Sequence, residues 1–336
     1  MIFGKHQYRL SIPWSEWLRF FCMKAATSLL DAFIFLQSLI APAKRLTDQP
    51  LPIDEDTMDE LFLSESNWEP DSEEFRQIRI VKKCLAVKFL PIESCEESCG
   101  PDALHCAEIR AMELVRGHTS IPVPRIRRVL PYEFQDPRWP GITNCWLVMD
   151  YVPGQLLWDA WPRLGMWKKL WVVVTLRRYV KELRKISQPY NGCVGKVPAH
   201  GKPLRCNLPE VLELRGRSLP SYDALKEYYN VHRRPRAREG HPPYGDSHSL
   251  VFTHGDIHKL NIILGDDGQL WLVDWGYSGF YPRWFEYQRM FIMGSEKIYG
   301  DRLIQPQDHI WQLLAGVICD YDPWTLEWFR RCLTNF

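Results

Sequence analysis

The segment Thr253–Tyr287, THGDIHKLNIILGDDGQLWLVDWGYSGFYPRWFEY, constrains the fold more than any other part of the chain. Its turn sequence Gly265–Gly268 lies between two apolar runs, and this order predicts a β-hairpin. The midpoint between Asn261 and Asp274 falls inside the turn, so the hairpin brings these two residues to the same end of the ribbon. Asp256 lies five residues before Asn261, in the loop that enters the hairpin. The segment therefore predicts that two carboxylates and one carboxamide meet at one place.

Side chains of this kind suit a hard divalent cation. Mg²⁺ retains waters and substrate phosphates as ligands, so two protein oxygens suffice, and a remaining carboxylate can act on a substrate proton. Phosphoryl transfer requires this arrangement. Two other interpretations stay open. The residues could simply cap turns, or the alternating His254, Asp256 and His258 could bind a transition metal, although Gly255 interrupts the pattern typical of metallohydrolases.

The motif H-G-D-x-x-x-x-N, followed by D-W-G, resembles the aminoglycoside phosphotransferase and choline kinase superfamily, whose members have a protein-kinase-like fold. The sequences at Gly279–Tyr287 and Thr119–Pro124 are similar to a branch abundant in filamentous fungi. The resemblance implies transfer of the γ-phosphate of ATP to a hydroxyl group of a small molecule, with ATP and Mg²⁺ as cofactors. It also implies residue roles: a catalytic base at Asp256, a brace of the catalytic loop at His254, and Mg²⁺ ligands at Asn261 and Asp274.

The upstream half would supply the nucleotide site. Lys88 stands where family members carry the lysine that grips the α- and β-phosphates. Glu108, twenty residues later, is its expected ion-pair partner, and Glu113 is the competing choice. The apolar strand at 146–151 resembles the hinge that binds adenine, through the side chain of Met149 and the backbone of Asp150, Tyr151 and Val152.

One departure from the family pattern bears on activity. Backbone N–H groups of a glycine-rich turn usually cradle the phosphates, but no glycine lies between Asp59 and Lys88, where Ser64–Ser66 could form a poorer lid. The alternative function is therefore a weak or inactive pseudo-kinase that binds nucleotide or a partner. A protein kinase is disfavoured, because helix-like sequence begins near Trp284, ten residues after Asp274, and leaves no platform for a peptide.

The pattern along the chain predicts an α+β, two-lobed protein-kinase-like fold. We assign 1–46 to an amphipathic helical extension, 47–150 to a small β-rich N-lobe, and 151–336 to a larger helical C-lobe with the catalytic loop, metal site and acceptor pocket. A hairpin is expected over 78–90, and apolar periodicity predicts helices over 103–116, 167–186, 222–229, 285–293, 309–318 and 325–333.

The first forty residues are conspicuously apolar. Arg19, Lys24 and Asp31 interrupt them, and the longest charge-free run, Ala32–Ala43, has twelve residues, fewer than the roughly 18 of a membrane-spanning helix. We therefore predict a helix packed on the body of the protein. Membrane contact through 14–41 is the less favoured alternative.

Composition narrows the partners and the compartment. The 336 residues include 42 basic and 41 acidic ones, a net charge of +1, which argues against nucleic acid as a partner. Ten cysteines are too few for a disulfide scaffold. We expect buried thiols in a reducing, cytoplasmic compartment, among them Cys22, Cys84, Cys145 and Cys319. One group of possible zinc ligands has a spacing that fits none of the usual zinc-site patterns. Its members are Cys95, Cys99, His105 and Cys106.

The acceptor itself is not readable from the sequence. Aromatic and acidic side chains could line its pocket, and the candidates are Trp158, Asp159, Trp161, Trp284 and Glu286.

Overall fold

The computed structural model describes residues 14–40, 78–81, 83–92, 106–132, 143–188, 192–197, 219–232, 243–245, 250–294, 297–299, 302–305, 308–323 and 327–328. The helices are α1 (Trp14–Ile40), α2 (Ala107–His118), α3 (Leu157–Ala160), α4 (Met166–Leu183), α5 (Tyr222–Val231), α6 (Phe285–Met293) and α7 (His309–Cys319). The strands are β1 (Arg79–Val81), β2 (Leu85–Ile92), β3 (Ile126–Tyr132), β4 (Thr143–Asp150), β5 (Gly154–Leu156), β6 (Gly195–Lys196), β7 (Val251–Thr253), β8 (Ile262–Gly265), β9 (Leu270–Leu272), β10 (Gly279–Tyr281), β11 (Lys297–Tyr299) and β12 (Arg302–Gln305). This mixture agrees with the predicted α+β class. The helix predicted over 325–333 lies almost entirely outside the described residues.

An antiparallel sheet in the order β1-β2-β4-β3 forms the β-rich part. β2 and β4 pair over their full length, with Lys88 opposite Leu147. Both chain neighbours of Lys88, Val87 and Phe89, are buried. The strand therefore fixes where the long stem of Lys88 begins.

Helix α2 packs on this sheet through one face. Ile109, Met112 and Val115 recur at helical spacing and are buried in the main apolar cluster. The helix ends at His118, and the backbone N–H of Thr119 donates to the carbonyl of Val115 before the prolines of IPVP. Glu108, in the first turn, is buried beside this face.

One apolar cluster runs through both the β-rich and the helical parts. It includes Leu147 of β4, Met112 of α2, Leu176 of α4, Leu272 of β9 and Trp311 of α7. The hairpin that carries the motif residues is thus built into a continuous core, which favours a fixed geometry at its end.

The predicted hairpin is present. β8 and β9 pair antiparallel, with Ile262 opposite Leu272 and Leu264 opposite Leu270. Beyond the last pair, the N–H of Val273 donates to the carbonyl of Asn261 at 3.1 Å. The register therefore returns Asp274 to the side of Asn261, as the turn position predicts.

The predicted N-terminal helix is also present, as the 27-residue α1. Its inner stripe packs on the body: Met23 is buried against Gly316 of α7, and Asp31 accepts two hydrogen bonds, of 2.7 and 2.8 Å, from Arg177 of α4. Glu16 accepts a short hydrogen bond from Tyr321.

The other face of α1 is apolar and exposed. Large side chains at least 49% exposed there are Trp14, Leu18, Phe21, Leu29, Phe33, Phe35, Leu36 and Leu39. By length and composition alone, Trp14–Gln37 could cross a membrane, although the interrupting charges had argued against it. Two of those charges face the body: Asp31 pairs with Arg177, and Arg19 lies over the ring of Tyr321.

Candidate functional site

Lys88 joins the sheet to the hairpin. Its Nζ lies 2.8 and 2.9 Å from the two carboxylate oxygens of Glu108 and 2.8 Å from Oδ1 of Asp274. Glu113 is exposed on α2 and is not the partner. A Cβ on Gly276 would lie 3.4 Å from Glu108 Oε2, so the glycine of D-W-G leaves room for this trio.

Charge pairing fixes the protonation states here. Burial favours the neutral amine of Lys88, but the Glu108 and Asp274 carboxylates outweigh it and raise the pKa of Lys88 above its usual value. Burial also opposes ionisation of Asp274, yet the nearby Lys88 ammonium holds the pKa of Asp274 below its ordinary value. Burial raises the pKa of Glu108 above its ordinary value, but both of its carboxylate oxygens lie within hydrogen-bonding distance of the Lys88 ammonium, and this contact favours an ion-pair network.

Asp256 lies in the loop between β7 and β8, held by three donors. Oδ2 accepts from Asn261 Nδ2 at 2.9 Å and lies 3.3 Å from His258 Nε2, and Oδ1 accepts from Arg289 Nη2 at 3.1 Å. His258 Nδ1 accepts from the N–H of Leu260, so a neutral ring carries its proton on Nε2 and donates it to Asp256. Asp256 is 6% exposed.

These donors keep Asp256 ionised. Burial would raise its pKa, but the hydrogen bond from His258 and the charge of Arg289 outweigh burial and lower the pKa of Asp256 to about 2. A carboxylate so stabilised is a weak base that orients a hydroxyl and takes up its proton only as negative charge leaves the oxygen.

His254 and Glu286 fix the path of the loop. The Glu286 carboxylate accepts from the backbone N–H groups of His254 (2.7 Å) and Gly255 (3.0 Å). The His254 ring lies 4.4 Å from the ring of Trp275 of the D-W-G motif, centroid to centroid, at a tilt of 53°, and its Nδ1 accepts from the N–H of Asp256. The bracing role predicted for His254 agrees with this position.

Backbone geometry matters at two positions. Gly255 has φ of +76°, and a Cβ there would lie 2.7 Å from the carbonyl oxygen of Tyr277, so only glycine fits. Asp274 has φ of +63°, a left-handed conformation that aspartate tolerates better than most residues. The turn it makes presents its carboxylate to Lys88.

The donors fit a hard cation. Asn261 uses Nδ2 for its bonds to Asp256, which leaves its amide oxygen for a ligand, and Asp274 offers a second carboxylate oxygen beyond the one bonded to Lys88. Oxygen ligands in this number suit Mg²⁺ with substrate phosphates. Within the described parts of the chain, no group of three or more His, Cys, Asp or Glu side chains could hold a metal, which gives no support to the transition-metal interpretation.

Fewer backbone N–H groups of the hinge strand are available to a ligand than the sequence implied. The N–H of Asp150 donates to the carbonyl of Arg125, and the N–H of Tyr151 donates to the carbonyl of Cys84, each at 2.9 Å. Val152 is the remaining N–H of the three that could meet adenine. The side chain of Met149 is 7% exposed and packs in the main apolar cluster.

Most of the residues proposed for the acceptor pocket have structural roles instead. Glu286 supports the catalytic loop, and Trp284 is buried and donates to the hydroxyl of Tyr244. Trp161 is buried against Trp311, and Asp159 is exposed. Trp158 alone of the five lines a small cavity at the catalytic loop.

Of the four thiols that were expected to be buried, two are buried and two are not. Cys145 and Cys319 are fully buried, but Cys22 is exposed on α1 and Cys84 is half-buried, so those two were wrongly expected inside. Of the candidate zinc group, Cys95, Cys99 and His105 lie outside the described residues, as do Ser64–Ser66. Burial raises the pKa of Cys106 to about 11.

Comparison with known proteins adds a family. A family model for phosphotransferase enzymes matches residues 100–316, well over half of the chain, although Lys88 lies outside the match. The match does not separate branches of the family, so the fungal branch stays a prediction. A comparison with curated proteins finds no match.

Several solved structures are similar at low identity. A thermostable mutant of aminoglycoside phosphotransferase APH(4)-Ia, in a ternary complex with ADP and hygromycin B, shares 13% identity at a TM-score of 0.34 over 62% of this chain and 63% of that chain, just under two thirds of its length. APH(4)-Ia itself shares 12% at 0.35, over 70% and 77% of the two chains. Choline kinase LicA from Streptococcus pneumoniae shares 15% at 0.31, over 82% and 91%.

Proposed function

The chain belongs to the phosphotransferase enzyme family, and from this premise we propose that it transfers the γ-phosphoryl group of ATP to a hydroxyl group of a small molecule. The observation that carries the proposal is the convergence of the ion-pair network on Lys88 with the catalytic loop of Asp256. The trio and the loop meet through the hairpin, in which Asn261 and Asp274 lie at one end.

Each side chain has a task in this reaction. The Lys88 ammonium binds phosphate oxygens of the nucleotide, and Glu108 holds it in place. Asn261 and Asp274 would hold Mg²⁺, which supplies positive charge to the β- and γ-phosphates when it is bound. In this proposal the backbone N–H of Val152 meets the adenine.

Asp256 positions the acceptor. Its Oδ2 already accepts from two side chains and its Oδ1 from one, so the remaining position on Oδ1 is open to the acceptor hydroxyl. The acceptor oxygen forms a bond to the γ-phosphorus while the bond from phosphorus to the β,γ-bridging oxygen breaks and ADP leaves. The hydroxyl proton passes to Asp256.

The pseudo-kinase alternative is not favoured, because the residues that catalysis requires are present and mutually placed. The absence of glycine between Asp59 and Lys88 affects how tightly the nucleotide is held rather than the transfer step. We further propose a cytoplasmic location, because the cysteines within the described residues are free.

The direct test is ADP release from Mg-ATP by the purified full chain, with and without a panel of alcohols. We expect one class of alcohol to accelerate release, and Asp256→Asn to remove that acceleration while ATP still binds. ATP binding with no acceleration by any alcohol would favour the pseudo-kinase, and absence of ATP binding would refute the phosphotransferase and leave only a partner-binding pseudo-kinase.

A further inference from the structure

A lysine of the catalytic loop occupies an aromatic and acidic cage. Lys259 lies three residues after Asp256, and its Nζ is 4.8 Å from the ring centroid of Trp158 and 5.9 Å from that of Trp311. The same ammonium donates a short hydrogen bond to Oδ2 of Asp308. Two indole rings and one carboxylate around a cation are the elements by which proteins recognise organic ammonium ions.

The cage is buried and rigidly built. Trp311 is 1% exposed and Lys259 9%. Asp308 caps α7, because its Oδ1 accepts from the N–H of Trp311 at 2.9 Å while Oδ2 accepts from Lys259. Trp158 comes from α3, a different segment of the chain, and its ring lies over the Lys259 ammonium. Two separate segments, α3 and the start of α7, thus surround the ammonium group that the catalytic loop supplies.

The cage also adjoins the reacting groups. The cavity that Trp158, Lys259, Asp308 and Trp311 line is lined as well by His258, whose Nε2 faces the Asp256 carboxylate at 3.3 Å. The cage therefore adjoins, through His258, the carboxylate proposed to meet the acceptor.

We propose that Lys259 is an internal cation that fills the ammonium-binding cage of the acceptor site, so that the acceptor carries no ammonium group at this position. The part of this inference that concerns an acceptor rests on the proposed function, but the existence of the cage does not. With Lys259 in place, a second cation would meet a like charge and a carboxylate that is already paired. The acceptor class that remains is an alcohol that is uncharged or anionic where it faces the cage.

Removing the internal cation should expose the site. We expect Lys259→Ala to bind tetramethylammonium saturably and at least ten times more tightly than the unchanged protein, measured by titration calorimetry on the full chain without nucleotide. Sodium chloride at equal ionic strength is the blank. Adding Asp308→Asn to Lys259→Ala should cancel the gain, because the cage then lacks its anion.

A matched control is Lys168→Ala. Lys168 lies 4.1 Å from the ring centroid of Trp171, but it is exposed and has no carboxylate partner among the residues described, so its removal should create no ammonium site. If Lys259→Ala fails to fold by circular dichroism, Lys259→Met keeps the apolar stem and vacates the ammonium position. Methylammonium should then raise the melting temperature of Lys259→Met and leave that of the unchanged protein as it was.

Equal binding by the unchanged protein and the lysine variants, or no gain in either variant, overturns the proposal. Because no step uses ATP or turnover, a failure here is distinct from failure of the phosphotransferase proposal.

Discussion

At the scale of single residues, the carboxylate of Asp256 is set apart by the number of groups that hold it. Asn261, His258 and Arg289 all contact it, and the resulting low pKa, about 2, leaves it ionised throughout the physiological range. In the proposed reaction such a carboxylate would align the acceptor and take up its proton late, so its removal should affect turnover far more than binding.

We expect Asp256→Asn to lower kcat about 10²- to 10⁴-fold while ATP affinity changes little, since Asp256 touches no residue of the Lys88 trio. Single-turnover kinetics and equilibrium ATP titration check the two quantities. Asp266→Asn, at an exposed position in the hairpin turn, is the control and should match the unchanged protein. A large loss of ATP affinity in Asp256→Asn would instead assign this residue to metal binding.

Lys88→Met should behave in the opposite way. The variant removes the ammonium bonded to Glu108 and Asp274 and leaves their charges unpaired, so we expect ATP binding to weaken about 10- to 100-fold. Lys185→Met, at an exposed lysine, controls for loss of one positive charge. Unchanged ATP affinity in Lys88→Met would show that another residue grips the phosphates.

The residues that sequence could place were those inside one local motif. Asp256, Asn261 and Asp274 are separated by a single hairpin, whose turn chemistry fixes where they meet. Arg289 was missed and Glu286 was misassigned to the acceptor pocket, because both act from α6, and only the tertiary fold brings that helix beneath the loop. The one signal in the sequence was the pair of charges, Glu286 and Arg289, within a mostly apolar helix, because charges that become buried need partners.

At the scale of elements, the loop between β7 and β8 depends on a backbone conformation. Gly255→Ala would impose a left-handed φ on alanine, about 1–2 kcal/mol, and a clash with the Tyr277 carbonyl. We expect a loss of at least about 2 kcal/mol in the free energy of unfolding, with activity lost as well. Gly117→Ala, in α2 with open space around its Cβ, should be neutral or stabilising by up to about 1 kcal/mol.

Helix α1 is tied to the body through Asp31. Asp31→Asn weakens two bonds to Arg177, which keeps Asp320 and the carbonyls of Val317 and Ile318. We therefore expect a partial loss of about 1–2 kcal/mol and faster amide exchange along α1. Asp223→Asn breaks only an exposed pair with Lys226 and should cost less than about 0.5 kcal/mol. Equal exchange in both variants would refute the tie.

Elements with strong local signals were predicted well, and those that depend on distant partners were not. The hairpin and α6 follow from turn residues and apolar spacing within one window. The helix α1 itself was predicted, but its exposed apolar face was not, because the places of Arg19 and Asp31 against the body depend on Tyr321 and Arg177, which are distant in sequence.

At the scale of the whole molecule, two buried groups oppose each other in their dependence on pH. Burial lowers the pKa of His254 to about 4 from its ordinary 6.5, so its contribution to stability is lost as pH falls through that window. Burial raises the pKa of Glu286 to about 7 from 4.5, so its contribution is lost as pH rises from 4.5 to 7.

The two slopes should nearly cancel between pH 6.5 and 4.5. We expect urea unfolding to give an almost constant free energy there, and a steep fall below pH 4 as Asp256, with its pKa of about 2 against an ordinary 3.8, becomes protonated in the unfolded chain first. In Glu286→Gln the His254 term is unopposed, so stability should already decline from pH 6.5. Parallel profiles for the two proteins would contradict this.

The overall architecture was predictable because the periodicity of apolar residues along the chain indicates a β-rich first half and a helical second half. The pairing of the halves was not, since it depends on single long-range contacts. Lys88 and Asp274 are 186 residues apart, and nothing local to either indicates their 2.8 Å contact.

Helix α6, nine residues long, makes contacts on two sides at once. Glu286 and Arg289 hold the catalytic loop, while Tyr287, between them, packs its ring 5.5 Å from that of Tyr321, which donates to Glu16 of α1. A displacement of the N-terminal helix would consequently be transmitted to Asp256 through the phenol rings of Tyr321 and Tyr287. Such a displacement should alter the turnover number before it alters nucleotide affinity.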